Sequence, residues 1–193
     1  MAITPVRATR RLWMRPFRAE DAGWFAAMNA DPRVMRHFPG VLDRDGSDRF
    51  LGRIIEGWAD RGWGLWAVGA RIDDGAGGEP FGFVGLHPAS VVGPDAVEVG
   101  WRLQHRVWGQ GFAPEGAREA LRYAFDVLGL DEVVSFTVPG NHNSRRVMAK
   151  IGLVHDPARD FDHPGIDASS HPSLVRHVLY VGRRGERTGP SLP

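Results

Sequence analysis

Residues 106–116 read RVWGQGFAPEG, and they decide how the rest of the chain is read. Gly109 and Gly111 sit one residue apart. A proline and a glutamate follow, then a run of helix formers over 114–128. In that run Ala117, Ala120, Leu121, Ala124 and Leu128 make one apolar stripe. Pro114 suits the first turn of this helix and Gly129 its end. A helix N-terminus leaves N–H groups unpaired and carries partial positive charge. It binds phosphate well where the backbone can come close. Glycines at 109 and 111 remove the side chains that would stand in the way. The Walker pattern is absent, because no Gly-Lys-Ser/Thr closes the loop. The dinucleotide fingerprint wants a third glycine where Pro114 stands. A plain glycine-rich turn before an ordinary helix is the alternative at this point.

Working outward, 96–103 alternates as a strand before the loop, and 132–138 (EVVSFTV) is a strand after the helix. A strand–helix–strand crossover makes those two strands parallel. Upstream, 64–71 and 80–87 read as strands, with DDGAGGE between them as a glycine-rich hairpin turn; VVGPD turns the chain again before 96. Earlier still, 10–17 is a strand. Residues 19–29 form a helix opened by acidic residues, and Asp31-Pro32 stops it. A second helix covers 45–58, with Phe50, Leu51, Ile54, Ile55 and Trp58 at helical spacing. Downstream, 143–151 is a short helix opened by Asn or Ser and closed by Gly152. One more short strand falls near Leu153, and 174–181 is the last. The order β-α-α-β-β-β-α-β-α-β predicts a mixed α/β (α+β) domain. No linker divides the chain, so a single domain is expected over 1–182, with a disordered tail over 183–193.

Composition narrows the function classes. The chain has 193 residues and a net charge of +1, which does not suit a general nucleic-acid binder. No apolar run approaches the roughly 20 residues of a membrane span. No apolar core follows the basic residues of the first segment, so it does not read as a secretory signal. A cytoplasmic protein with no membrane or nucleic-acid partner is expected. There is no cysteine, which removes disulfides, thiolate metal sites and a cysteine nucleophile.

Arg106-x-x-Gly109-x-Gly111 resembles the Arg/Gln-x-x-Gly-x-Gly/Ala signature of the GNAT superfamily of acyl-CoA-dependent N-acyltransferases. A second stretch, VPGNHNSRRVMAKIGL over 138–153, is similar to the Asn-x-x-Ser-x-Arg-Val and Lys-x-Gly-Phe motif of its RimJ/RimL-type branch. The matching positions are Asn141, Ser144, Arg146, Val147, Lys150 and Gly152, with Leu153 in the phenylalanine place. AVEVGWRL before the loop, and EDA and DPRVMRHF near the start, match in the same order. The resemblance runs over roughly 10–180.

That resemblance implies a GNAT-like domain: a mostly antiparallel sheet in which one parallel strand pair splays to admit acetyl-CoA, flanked by helices. It implies that the amides of Val107, Gly109, Gln110, Gly111, Phe112 and Ala113 hold the pyrophosphate, with Arg106 in the same motif. Pantetheine pairs along Val99, Trp101 and Leu103. Asn141 bonds it from the other side, beside Ser144, and Arg145 or Arg146 meets a CoA phosphate. A solvated helix face is the other reading of those two arginines. It implies direct transfer of an acetyl group to a primary amine, with no metal. The acceptor is a protein N-terminus or a small amine, and family members often form homodimers. An amine with a pKa of about 8 (α-amino) or 10.4 (lysine) must lose a proton, and Glu98 is the candidate base, acting through water. An N–H near Val99 or Gly100 is the candidate oxyanion donor. Met148 stands where many members carry a tyrosine general acid, so Ser144 becomes the candidate donor, or merely the helix cap. Tyr123 and Tyr180 read as packing residues. The other function class is a non-catalytic acyl-CoA-binding or interaction module on the same scaffold.

One stretch is not absorbed by these motifs. Residues 155–177 carry His155, His163, His171 and His177 among Asp156, Asp160, Asp162 and Asp167. The eight-residue gaps fit no metal template, so no metal is expected. Either this is a polar surface loop, or Asp160, Asp162 and His163 attract a cationic amine. In the second case Arg36, His37, Phe38 and Trp63 would form the opposite wall of the acceptor site. With seven tryptophans present, core packing is the default reading of the aromatics.

Overall fold

The computed structural model describes residues 7–71 and 77–185. Nine strands form one sheet: β1 (Arg7–Ala8), β2 (Leu12–Pro16), β3 (Leu65–Arg71), β4 (Gly77–Pro88), β5 (Val97–Leu103), β6 (Glu132–Thr137), β7 (Val154–His155), β8 (Phe161–Asp162) and β9 (Arg176–Arg183). Their spatial order is β1-β2-β3-β4-β5-β6-β9-β7, with β8 also paired to β9. Every pairing is antiparallel except β5 with β6, which is parallel. This is the mixed sheet with one parallel pair expected from the crossover. The helices are α1 (Ala22–Asn29), α2 (Pro32–Met35), α3 (Arg44–Arg61), α4 (Phe112–Arg122), α5 (His142–Lys150) and α6 (Pro172–Val175). None of them is long and apolar enough to cross a membrane.

Strand alternation distributes the helices. Phe83 and Val84 are neighbours on β4 and point to opposite faces. Phe83 meets the rings of Phe25 on α1 and Phe50 on α3 at 6.1 Å each. Val84 meets α4 at Gly116, where an added Cβ would lie 3.2 Å from a Val84 methyl. Leu12, Met14, Trp66, Val68 and Leu86 are fully buried between these layers. The sheet therefore has α1 and α3 on one side and α4 on the other.

Several boundaries differ from the sequence expectation. The helix over 114–128 begins two residues earlier and ends as α-helix at Arg122. It then continues as a π-helical turn over Tyr123–Val127, in which the Leu128 N–H bonds the Tyr123 carbonyl. The last strand does not begin at 174. His171-Pro172 opens the single turn of α6, and β9 starts at Arg176. At its other end β9 runs past 182, because Arg183 and Arg184 have partners across the sheet edge. Arg183 pairs with Glu132, and the Arg184 N–H bonds the Asp131 carbonyl. The rest of the expected tail, and residues 72–76 of the expected hairpin turn, lie outside the described residues.

The acidic start expected for the first helix has a more specific job. Asp21 is 3 % exposed and closes a short 3₁₀ turn, Ala19–Asp21, before α1. It accepts two bonds of 2.7 Å from Arg15 at the end of β2, one from the Arg18 N–H and one from Trp24 Nε1. Burial pushes the Asp21 carboxyl up, and these donors outweigh it, so it titrates below its ordinary range. A depressed carboxyl contributes stability above its unfolded pKa, and that contribution is lost as pH falls through the folded value. Asp21→Asn is expected to cost about 2–3 kcal/mol, below the roughly 3–5 of a fully buried pair because Arg15 is partly solvated. This corresponds to a Tm lower by roughly 5–10 °C at neutral pH. The gap between thermal melts of the two proteins should narrow as the pH falls below the ordinary Asp range, about 3.9. A constant gap would assign the loss to shape rather than charge.

Candidate active site

The parallel pair is in register at one position, Glu98 opposite Val134. Beyond it β5 runs toward the glycine loop and α4, and β6 runs toward Asn141 and α5. Between their ends lies a cleft of about 1260 Å³, lined on one side by Gly100, Trp101, Arg102 and Leu103 and on the other by Ser135, Phe136 and Thr137. The loop closes one end. After a 3₁₀ turn, His105–Val107, the chain turns on Gly109 at φ 78° and Gly111 at φ 80°. Both lie in the left-handed region that disfavours any residue with a Cβ. Gly111 is the residue that caps α4. Among the described residues the N–H groups of Gly109, Gln110 and Gly111 find no protein acceptor. Pro114 is the third residue of α4, where an N–H has no partner within the helix in any case.

The turn between β1 and β2 holds this loop in place. Glu115 accepts from the Thr9 hydroxyl at 2.5 Å, from the Arg11 N–H at 2.8 Å and from Arg11 Nε at 2.6 Å. Arg11 in turn donates to the Gln110 carbonyl and lies 4.7 Å above the Phe112 ring. Burial pushes the Glu115 carboxyl up, and these donors hold it below its ordinary value.

The cleft gathers most of the residues singled out from sequence. Trp101, Leu103, Val107, Gly109, Gly111, Phe112 and Ala113 line it from β5 and the loop, and Asn141, Ser144 and Arg146 line it from α5. His37, Phe38, Glu98 and His163 line it too. The remaining candidates lie elsewhere. Val99 is fully buried and does not line the cleft. Arg106 points away and donates to Gln104, and the Gln110 side chain turns back to the Arg106 carbonyl. Asp162 is exposed and pairs with Arg176 at 3.3 Å. Asp160 bonds the Leu179 N–H and His155. No acidic wall therefore faces the cleft from the histidine loop. That loop is fixed instead by stacked rings, with Phe161 on His177 at 5.6 Å and Phe136 edge-on to both. Burial holds His177 below its ordinary value. Among the described residues no group of His, Asp and Glu is placed to hold a metal ion.

At α5 the cap is Asn141, whose Oδ1 accepts from the Ser144 N–H at 3.3 Å. Its Nδ2 donates to Thr137 Oγ1 and to Ser144 Oγ. Ser144 is thus not the cap, because it sits inside the first turn. Its oxygen accepts, and its own proton has no protein acceptor among the described residues. Arg145 bonds Tyr180 and the Pro139 carbonyl, which leaves Arg146 as the arginine of this pair facing the cleft. Tyr123 and Tyr180 are buried and do not line it.

One functional candidate is absent from the sequence reading. Glu98, 8 % exposed, faces His87 of β4, with Glu98 Oε2 3.0 Å from His87 Nε2. His87 Nδ1 lies 3.1 Å from the Pro88 carbonyl. Both ring nitrogens therefore meet acceptors, an arrangement that suits the doubly protonated ring. Burial lowers the His87 pKa and the Glu98 carboxylate outweighs it, so His87 stays protonated above its usual range. Glu98 Oε1 is left without a protein donor among the described residues and lies on the side of Gly100, 3.9 Å from where a Cβ would stand. The signal for His87 is register: β4 pairs with β5 so that His87 lies directly opposite Glu98.

The family model described as acetyltransferase (GNAT) domain matches residues 11–154. Among curated proteins, the FsC-acetyl coenzyme A-N(2)-transacetylase of Aspergillus fumigatus is 35 % identical over 78 % of this chain and 66 % of its own length. An uncharacterized Bacillus subtilis protein, YkkB, is 30 % identical over 75 % of this chain and 83 % of its own. Among solved structures, an acetyltransferase from Agrobacterium tumefaciens superposes with a TM-score of 0.75 at 25 % identity, covering 95 % of this chain and 96 % of that one.

Proposed function

The chain belongs to the GNAT acetyltransferase family, and from that premise we propose that it moves the acetyl group of acetyl-CoA directly onto a primary amine held in the same cleft. The observation that carries this reading is the pair of left-handed glycines beside the parted parallel strands. It leaves three unpaired amides and a helix N-terminus aimed at the end of the cleft. The pyrophosphate sits there, Arg146 meets a CoA phosphate, and pantetheine extends along the free edge of β5 toward Glu98.

The amine nitrogen attacks the thioester carbonyl, and the carbonyl oxygen becomes an oxyanion. The nitrogen loses its proton to Glu98, directly or through one water, by way of the unpartnered Oε1. His87, whose side chain is 40 % exposed, holds the other carboxylate oxygen and connects Glu98 to solvent. The tetrahedral species then breaks its carbon–sulfur bond, and the CoA thiolate leaves. Ser144, oriented by Asn141, has a free hydroxyl proton for that sulfur.

The test is acetyl-CoA binding by calorimetry, followed by an amine screen that reads CoA thiol release; a protein without cysteine adds no thiol background. Saturable binding with product from at least one amine supports the reading, and absence of binding ends it. Ser144→Ala should lower kcat by roughly tenfold, at the low end for acid–base groups because a thiolate leaves readily. Acetyl-CoA affinity and Tm should stay near wild type, since the cap belongs to Asn141. Unchanged kcat would leave Ser144 with a packing role alone.

A further inference from the structure

Arg102 is a half-buried cation that pairs with no carboxylate among the described residues. It stands on β5 and lines the cleft. Nη1 donates to Asn29 Oδ1 at 2.7 Å, and the fully buried Asn29 is itself oriented by Ser47, to which its Nδ2 donates at 2.9 Å. Nε is buried and has no partner. Among the described residues no carboxylate lies within ion-pair distance of this guanidinium. Three rings surround it instead, Phe38 at 4.3 Å and Phe50 and Phe83 at 5.5 Å each. Desolvation lowers its pKa to about 10, which leaves it charged at neutral pH. A half-buried guanidinium with a buried, unpartnered Nε is stabilised by any anion that can reach it.

The surroundings say which sign is missing. Arg53 and Arg61 also line the cleft, and each lies over a ring, Phe50 and Trp63, rather than against an acid; Arg61 is close enough to His87 to oppose its protonation. Glu98 is the only carboxylate among the described residues that lines the cleft. Phe38, which covers Arg102, is 41 % exposed, an aromatic surface open to an occupant.

The sheet face joins the two ends. Across β4 and β5, Phe83 is opposite Arg102, Gly85 opposite Gly100 and His87 opposite Glu98. A cation beside an aromatic ring and an acid beside an imidazole are thus separated by two residues without side chains. Arg102 and Glu98 are four residues apart on one face, about 13 Å at the strand repeat. We propose that the acceptor is an amine carrying a carboxylate several bonds away. The carboxylate docks on Arg102 within the Phe38, Phe50 and Phe83 rings, and the chain lies over Gly100 so that the amine reaches Glu98. A planar carboxylate matches the guanidinium edge, and the rings suit an apolar connecting chain. The proposal rests on the transfer reading above for the position of the amine, while the anion site stands on Arg102 alone.

Two measurements separate those parts. The first titrates the full-length protein with γ-aminobutyrate and ε-aminocaproate, and with their carboxamides, while following the Arg102 Nε–H resonance, assigned by its loss in Arg102→Gln. Saturable shifts with the acids and none with the amides are expected. No shift with either, or equal shifts with both, overturns the anion site whether or not transfer occurs. The second compares kcat/KM for ω-amino acids against their carboxamides by CoA thiol release. A preference for the acids of roughly tenfold or more is expected, as for a site built to bond a group that the analogue lacks. It should collapse in Arg102→Gln and survive in part in Arg102→Lys, with melting curves confirming that both variants fold. A preference that persists in Arg102→Gln, or one for phosphoethanolamine over the carboxylated amines, overturns the proposal. Turnover of no amine by a protein whose Arg102 still responds to carboxylates would reject the transfer reading and keep the anion site.

Discussion

Replacing Gly109 and Gly111 together by valine is expected to weaken acetyl-CoA binding by about a hundredfold or more while leaving the fold intact. Two effects add. A β-branched residue at φ near 80° is strained by roughly 1–3 kcal/mol at each position. The loop therefore relaxes, and the amides of 109–111 turn away from the pyrophosphate. Each charge-assisted bond lost costs about 1.5–3 kcal/mol, so losing two gives the hundredfold scale. Around Gly109 a Cβ would meet nothing of the protein within 4 Å. Its intolerance there comes from backbone conformation and from the ligand, not from crowding. At Gly111 a Cβ would also press on Arg11 at 3.3 Å. Calorimetry on wild type, both single variants and the double variant measures this. Equal affinity across the set would return the loop to the role of an ordinary helix entrance.

Glu98→Gln is expected to lower kcat by about 10²- to 10⁴-fold, the usual contribution of a positioned general base. Acetyl-CoA affinity should change little, because the carboxyl lies beyond the loop at the point where the strands part. The amide keeps the shape and can still meet His87, so stability should fall only modestly. Equal turnover for the two enzymes at every pH from roughly 6 to 9 would remove Glu98 from the reaction.

What the sequence showed well was local. Two glycines, a proline and an apolar stripe within twenty-odd residues announced the loop and α4, because φ preference and helical spacing act between near neighbours. Asn141 was visible for the same reason, although its neighbour Ser144 looked equally able to cap α5 until the boundary was fixed. What stayed hidden was set by pairing across the sheet. His87 and Glu98 are separated in the chain by a turn whose register sequence patterns do not determine. Nothing near Arg102 in the chain marks it, because Phe38, Phe50 and Phe83 reach it from other elements. The side on which Arg106, Gln110 and Asp162 lie was equally open, since rotating a loop or shifting a strand by one residue exchanges cleft for solvent. Of the acidic wall offered as one reading of the histidine loop, only His163 lines the cleft. Asp160 was consumed by the Leu179 N–H and His155, and Asp162 by Arg176.

The knot at Glu115 ties together two parts of the chain more than a hundred residues apart. Thr9 and Arg11 from the turn between β1 and β2, and the Gln110 carbonyl through Arg11, all converge on the first turn of α4. Anything that tightens the loop must tighten the amino-terminal strand, and by thermodynamic reciprocity the strand's docking must favour the loop's bound shape. The outermost strand pair then acts as a remote clasp on the donor site: loosening it, by a change far from any reacting atom, would register as lost affinity for acetyl-CoA.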